Sequence, residues 1–70
     1  MMEKRIRDLN INIQDMSITH TMQEGKVLLI VLDGVQGKAK VCEAVEHGQT
    51  IVETAKGKAT RIKFEGSELI

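Results

Sequence analysis

Between Gly25 and Gly34 the chain carries Lys26-Val27-Leu28-Leu29-Ile30-Val31-Leu32-Asp33. Six consecutive aliphatic residues leave no polar side to either secondary structure. In a strand, where side chains alternate, such a run is apolar on both faces. It therefore suits a central strand covered on two sides, or a strand whose second face meets another protomer. The bracketing glycines and the recurring Val and Ile favour a strand over a helix. At six residues this is the longest apolar run in the chain, far below the ~20 residues of a membrane-spanning helix. The start, Met1-Met2-Glu3-Lys4-Arg5, is charged and no apolar signal region follows it. Met2 also departs from the N-myristoylation pattern. These features predict a cytoplasmic protein with no membrane partner.

Size makes the same run more telling. Seventy residues make one small domain, and a chain of this length buries only about 60% of the surface its unfolded form exposes. Small domains add disulfides, a metal or a partner chain. Cys42 is the only cysteine, so no intrachain disulfide can form. Cys42, His20 and His47 are the only soft ligands and lack zinc-site spacing, so no metal is expected. Association is left, which predicts a homo-oligomer with Val27, Leu29 and Val31 as its self-association surface.

The rest of the chain reads as a meander. Proline is absent, and the six glycines fall at the ends of β-prone runs. Leu9, Ile11 and Ile13 alternate with Asn10 and Asn12, predicting a strand over Asp8 to Ile13. The alternation then changes phase, with Met16, Ile18 and Met22 on even numbers, so a break belongs at Gln14-Asp15. Lys26 to Leu32, Lys38 to Val45, Gln49 to Thr54 and Lys58 to Glu65 follow as strands. The fold class is all-β: a small antiparallel sheet or partly open barrel of about five short strands, with residues 1–7 and 67–70 as loose ends. Leu69-Ile70 could instead dock on a neighbouring protomer. In the last hairpin, Ile62 and Phe64 point inward and Arg61 and Lys63 outward. Ala55-Lys56-Gly57 fits a three-residue loop in which Gly57 alone needs positive φ, setting Val52 opposite Thr60. A two-residue loop would set Ile51 opposite Ile62 and force Lys56 to positive φ.

Candidate sites are few. Gly-Lys-Ala occurs at Gly37-Lys38-Ala39 and again at Gly57-Lys58-Ala59. A phosphate loop needs Ser or Thr after the lysine and a helix behind it. Here Ala and a strand follow, so both read as turns. Lys58, Arg61 and Lys63, with Lys40 from the neighbouring hairpin, could form an anion- or partner-binding patch; the simpler reading is a charged outer face that keeps an edge strand from pairing. Cys42 has only Lys40 as a cationic neighbour on its face, and a packed thiol is the simpler reading. His20 and His47 have no accompanying nucleophile and orienting group. Asp15, Asp33 and the glutamates scatter through turns and outer faces. No catalytic residue and no cofactor are expected. Ten basic and ten acidic side chains cancel, and Phe64 is the sole aromatic residue. A general nucleic-acid binder would show a basic excess or stacking faces.

Five stretches carry a family resemblance: Leu9-Asn10-Ile11-Asn12-Ile13; Gln23-Glu24-Gly25-Lys26 before the apolar strand; Gly37-Lys38-Ala39-Lys40; His47-Gly48-Gln49-Thr50; and Gly57-Lys58-Ala59-Thr60-Arg61-Ile62-Lys63-Phe64-Glu65-Gly66. In order and spacing over residues 8 to 66 they resemble the short XtrA-type proteins of PBSX-like prophages in Gram-positive bacteria. Asp33-Gly34-Val35-Gln36-Gly37 departs from it as a longer loop. The resemblance implies a phage or prophage accessory protein in a bacterial cytoplasm, and supplies no catalytic or binding residues. The expected function is non-enzymatic binding of a host or phage protein, with self-association. The alternatives are an oligomeric nucleotide- or anion-binding protein of anti-defence type and a small nucleic-acid-binding regulator.

Overall fold

The computed structural model describes residues 5–66. The regular elements within them are all strands: β1 (Arg7–Asp8), β2 (Leu28–Asp33), β3 (Lys38–Glu43), β4 (Gly48–Ala55) and β5 (Lys58–Gly66). The all-β expectation holds, as two open antiparallel sheets. One has the order β1-β3-β2 and the other is the β4–β5 hairpin. The ends expected to be loose at 1–4 and 67–70, and the docking role considered for Leu69-Ile70, lie outside the described residues. Arg5 and Arg7 are not part of a loose end. The Arg5 guanidinium lies 4.3 Å from the centre of the Phe64 ring, a cation–π contact, and Arg7 pairs with Val41.

The apolar run does not take the centre of its sheet. Among the described residues β2 pairs on one side only, from Leu28 opposite Glu43 to Asp33 opposite Lys38. The centre belongs to β3, which β1 joins from the other side through Arg7 opposite Val41 and Asp8 opposite Lys40. The buried apolar residues are accordingly Ala39, Val41 and Cys42, each 4% exposed or less. These small side chains fit between two flanking strands and two covered faces. The correction has a topological cause: hydrophobicity marks a strand as buriable, but the pairing partner on each side decides which strand is buried.

The expected strand over Asp8 to Ile13 is shorter. After β1 the ladder continues only through Leu9, whose N–H donates to Ala39 O at 2.9 Å. The break does fall at Gln14-Asp15. Asn12 and Ser17 bridge across a turn, Asn12 Oδ1 accepts from Gln14 N–H, and Asp15 Oδ1 accepts from Ser17 N–H and its hydroxyl. Met16 closes that turn at φ 56°. Met16 to Met22 forms no strand. Instead Ile11, Met16 and Ile18 border a small crevice with Leu32 and Ala39, over one face of the sheet.

The β4–β5 turn differs from the three-residue loop predicted for it. Ala55 pairs with Lys58 across a two-residue turn, with Lys56 at φ 53° and Gly57 at φ 77°, the primed hairpin geometry. The register then shifts between Glu53 and Thr54, leaving Thr60 as an extra residue on β5. Its hydroxyl donates to Glu53 O at 3.1 Å. This bulge restores Val52 opposite Ile62 and Thr50 opposite Phe64 on the inner face. Neither predicted register is present, because a turn and a bulge act together. At the far end, Gly48 is required: at φ 133°, a Cβ there would fall on the carbonyl oxygen of Glu65.

Asp33 joins the two sheets. It is the buried charged residue among those described, at 9% exposure, which corrects its expected place in a solvated turn. Its Oδ1 accepts from the N–H groups of Val35 (2.8 Å) and Gln36 (2.9 Å). Oδ2 accepts from Gln36 Nε2 (2.7 Å) and from Ala59 N–H (2.9 Å). Gln36 Nε2 also donates to Ala59 O at 2.9 Å. Ala55–Lys58 closes the hairpin, so the next pair, Thr54–Ala59, points its backbone groups outward. Asp33 and Gln36 thus occupy the place of a strand beside Ala59. Hydrogen bonds from Gln36, Ala59 and Val35 hold the Asp33 carboxyl far below the ordinary carboxylate range.

Candidate functional site

Two surfaces compete for a role: the cationic face proposed on β5 and the apolar edge at β2. The inward–outward reading of β5 holds, with Ile62 and Phe64 half-buried and Arg61 and Lys63 exposed. Glu53 stands opposite Arg61, and Gln49 opposite Glu65, so this face also collects carboxylates. Arg61 Nε lies 3.3 Å from Glu53 Oε1, and Lys63 Nζ lies 3.7 Å from Glu65 Oε1. Lys40 pairs with Asp8 across β1–β3. Lys58 alone of the four has no ion pair within the described residues. Each surface pair adds little stability, but each cancels the local field that would draw an anion.

Lys40 and Arg61 both line one apolar crevice between the sheets. Ile6, Val31, Val52 and Ile62 also line it, and its volume is about 120 Å³. Small-molecule sites run from about 300 to 1,000 Å³. A larger, polar crevice of about 500 Å³ lies between Lys26, Glu43 and Glu46, away from the nominated cations. Its two glutamates balance Lys26 and Arg5 in the lining, so it carries no positive excess to draw a phosphate. The described residues contain no cluster of His, Cys, Asp and Glu able to hold a metal. Burial raises the Cys42 thiol pKa, outweighing the charge of Arg5, so the group stays a protonated, packed side chain.

The β2 edge is different in kind. Cross-strand partners share a face, so Leu28, Ile30 and Leu32 lie on one face of the sheet with Ala39 and Val41. Leu29 and Val31 lie on the other, with Cys42 and Lys40. Of the three residues expected at a self-association surface, Leu29 and Val31 are half-buried toward the second sheet. Val27 sits just before β2 and is 73% exposed. Leu32, which sequence reasoning had not singled out, is 65% exposed near the end of the same strand. Only strand order reveals this: the run looked central, and the strand is an edge. β1, β4 and β5 each carry a charged side chain within the strand, the usual guard against edge pairing, whereas the one charge of β2 is Asp33 at its end, turned toward Ala59.

The family model described as "Phage-like element PBSX protein XtrA" matches residues 2–70. The chain belongs to that family. Within it, the protein named "Phage-like element PBSX protein XtrA" of Bacillus subtilis (strain 168) is 38% identical over 55 residues, covering 79% of this chain and 81% of the relative. "Uncharacterized protein YqaO" of the same strain is 46% identical over 59 residues, covering 84% and 85%. The XtrA family assignment agrees with the resemblance read from the glycine-lysine hairpins. No solved structure matches. Among the described residues no helix is long and apolar enough to cross a membrane.

Proposed function

We propose that this phage-element protein is a non-enzymatic accessory protein of the bacterial cytoplasm that acts by binding protein, and that it self-associates. The observation that carries the reading is the aliphatic edge of β2. Val27 and Leu32 are exposed at its two ends, and the buried apolar set among the described residues is three small side chains. A chain with so little of its own core gains most from covering apolar surface with another chain. Size-exclusion chromatography with light scattering tests the reading. A dimer or larger species is expected, and a monomer at the highest attainable concentration would overturn it.

Nucleotide or anion binding, and a nucleic-acid role, would rest on Lys40, Lys58, Arg61 and Lys63. They draw less support, because three of these cations stand beside carboxylates. Thermal stabilisation by a nucleotide, or salt-dependent DNA binding lost in Arg61→Ala, would revive them.

A further inference from the structure

We infer that two copies join edge to edge through β2, antiparallel, with Ile30 opposite Ile30 of the second copy. This rests on the self-association proposed above and specifies its geometry. The inference starts from the phase of the β2–β3 ladder. Ala44 N–H donates to Val27 O at 2.9 Å, so Val27–Ala44 is a hydrogen-bonded pair. Such pairs alternate along antiparallel strands. Leu29–Cys42 and Val31–Lys40 are then bonded pairs as well, and Leu28–Glu43, Ile30–Val41 and Leu32–Ala39 are not. The other side of β3 agrees, because Ala39 O turns the opposite way, to Leu9. The N–H and C=O groups of Leu28, Ile30 and Leu32 therefore point away from β3, along an edge where no described residue bonds to them.

A two-fold axis through an antiparallel edge stands perpendicular to the sheet, so residues facing each other must lie on the same sheet face. That restricts the register to pairs whose numbers sum to an even value. With a sum of 60, Ile30 faces Ile30 and Leu28 faces Leu32 of the other copy. All three outward residues then become bonded pairs, and every outward N–H and C=O of both copies is satisfied. Shifting to 58 would set Leu32 against Lys26, whose N–H already donates to Gln23 O at 3.2 Å. Shifting to 62 would set Leu28 against Gly34, which lies in the turn. The favoured register places Leu29 against Val31 on the second face and no charge against a charge within the strand. It makes one continuous six-stranded sheet from two three-stranded ones and covers the exposed side chain of Leu32.

Two variants and one size measurement test this. Under mild oxidation, Ile30→Cys is expected to form a covalent dimer, since bonded antiparallel pairs sit about 5.5 Å apart at Cα, within disulfide reach. Wild-type protein, whose Cys42 is buried, is the control and stays uncrosslinked. Leu32→Lys, at a site exposed in the single chain, is expected to stay folded by circular dichroism and to weaken association about tenfold or more. A wild-type dimer that Leu32→Lys leaves intact, with no Ile30→Cys crosslink, would overturn the β2 edge while leaving self-association standing. A monomeric wild type would overturn both.

Discussion

β2 and β3 are adjacent, six residues each, and opposite in what their sequences advertise. β2 reads Leu-Leu-Ile-Val-Leu-Asp and stays half-exposed, whereas β3 reads Lys-Ala-Lys-Val-Cys-Glu and holds the buried core. Composition alone would exchange their places. The difference teaches that burial here follows from the number of paired neighbours. β3 has a strand on each side and covered faces, and it accommodates this with small residues and lysines whose ends reach water. Among the described residues β2 has one neighbour, and its surplus of aliphatic surface is what the proposed second copy would cover.

The sharpest break of this comparison is the same substitution in each strand. Val41→Asp should abolish cooperative folding, because an unpaired buried carboxylate costs several kcal/mol, against a total stability of about 4–10 kcal/mol for this length. Leu32→Asp should leave the monomer folded, with circular dichroism and a thermal melt reading both. If Leu32→Asp unfolds the chain as Val41→Asp does, β2 is no free edge. A milder version separates them by degree: Val41→Ala should cost about 2 kcal/mol by denaturant titration, and Leu32→Ala, in dilute solution, under about 0.5 kcal/mol.

Next comes the joint at the end of β2. Its carboxyl is held well below the ordinary range when folded, so its stabilising effect is complete above the unfolded value of about 4 and is lost as pH falls toward the folded value. Wild-type stability should therefore drop between pH 4 and 2. Asp33→Asn should melt lower at neutral pH, because an amide nitrogen would face the donors of Gln36 and Ala59, and its stability should be flatter across that acid range. Equal acid sensitivity of the two proteins would remove Asp33 as the joint.

The thiol of Cys42 offers a rate rather than a stability. Packed in β3 and shifted upward by burial, it should react with a thiol reagent only through opening of the sheet, at least about tenfold slower in native than in denaturing buffer. Fast native reaction would mean that β3 is not the closed centre. The smallest expected effect lies in the other hairpin. Lys56 holds φ 53° beside Gly57, where Asn is better suited, so Lys56→Asn should raise stability by about 0.5–1 kcal/mol. No gain in a denaturant titration would argue for the three-residue loop instead.

Much of this is legible in the sequence. The glycine spacing gave the number and type of elements, the phase change at Gln14-Asp15 marked a real turn, and the alternation on β5 sorted Ile62 and Phe64 from Arg61 and Lys63. Three things were hidden, each for a physical reason. Strand order depends on β1, two residues long, whose pairing with β3 leaves no periodic trace. The hairpin register depends on a bulge at Thr60, which compensates for a turn that Lys56 alone would disfavour. Asp33 looked like an ordinary turn residue. Its position before Gly34 signals a local turn bond, but its reach to Ala59 is a tertiary fact. The candidate cations were placed correctly on their faces. What their spacing did not show is the facing carboxylate that Lys40 and Arg61 acquire when the strands pair, Asp8 and Glu53 respectively.

Amide exchange along β2, followed by NMR as protein concentration rises, tests the central claim most directly. The account predicts that Leu29 and Val31, bonded to β3, are protected at every concentration, while Leu28, Ile30 and Leu32 gain protection together as the dimer forms. Dimers forming without any slowing at those three amides would contradict it.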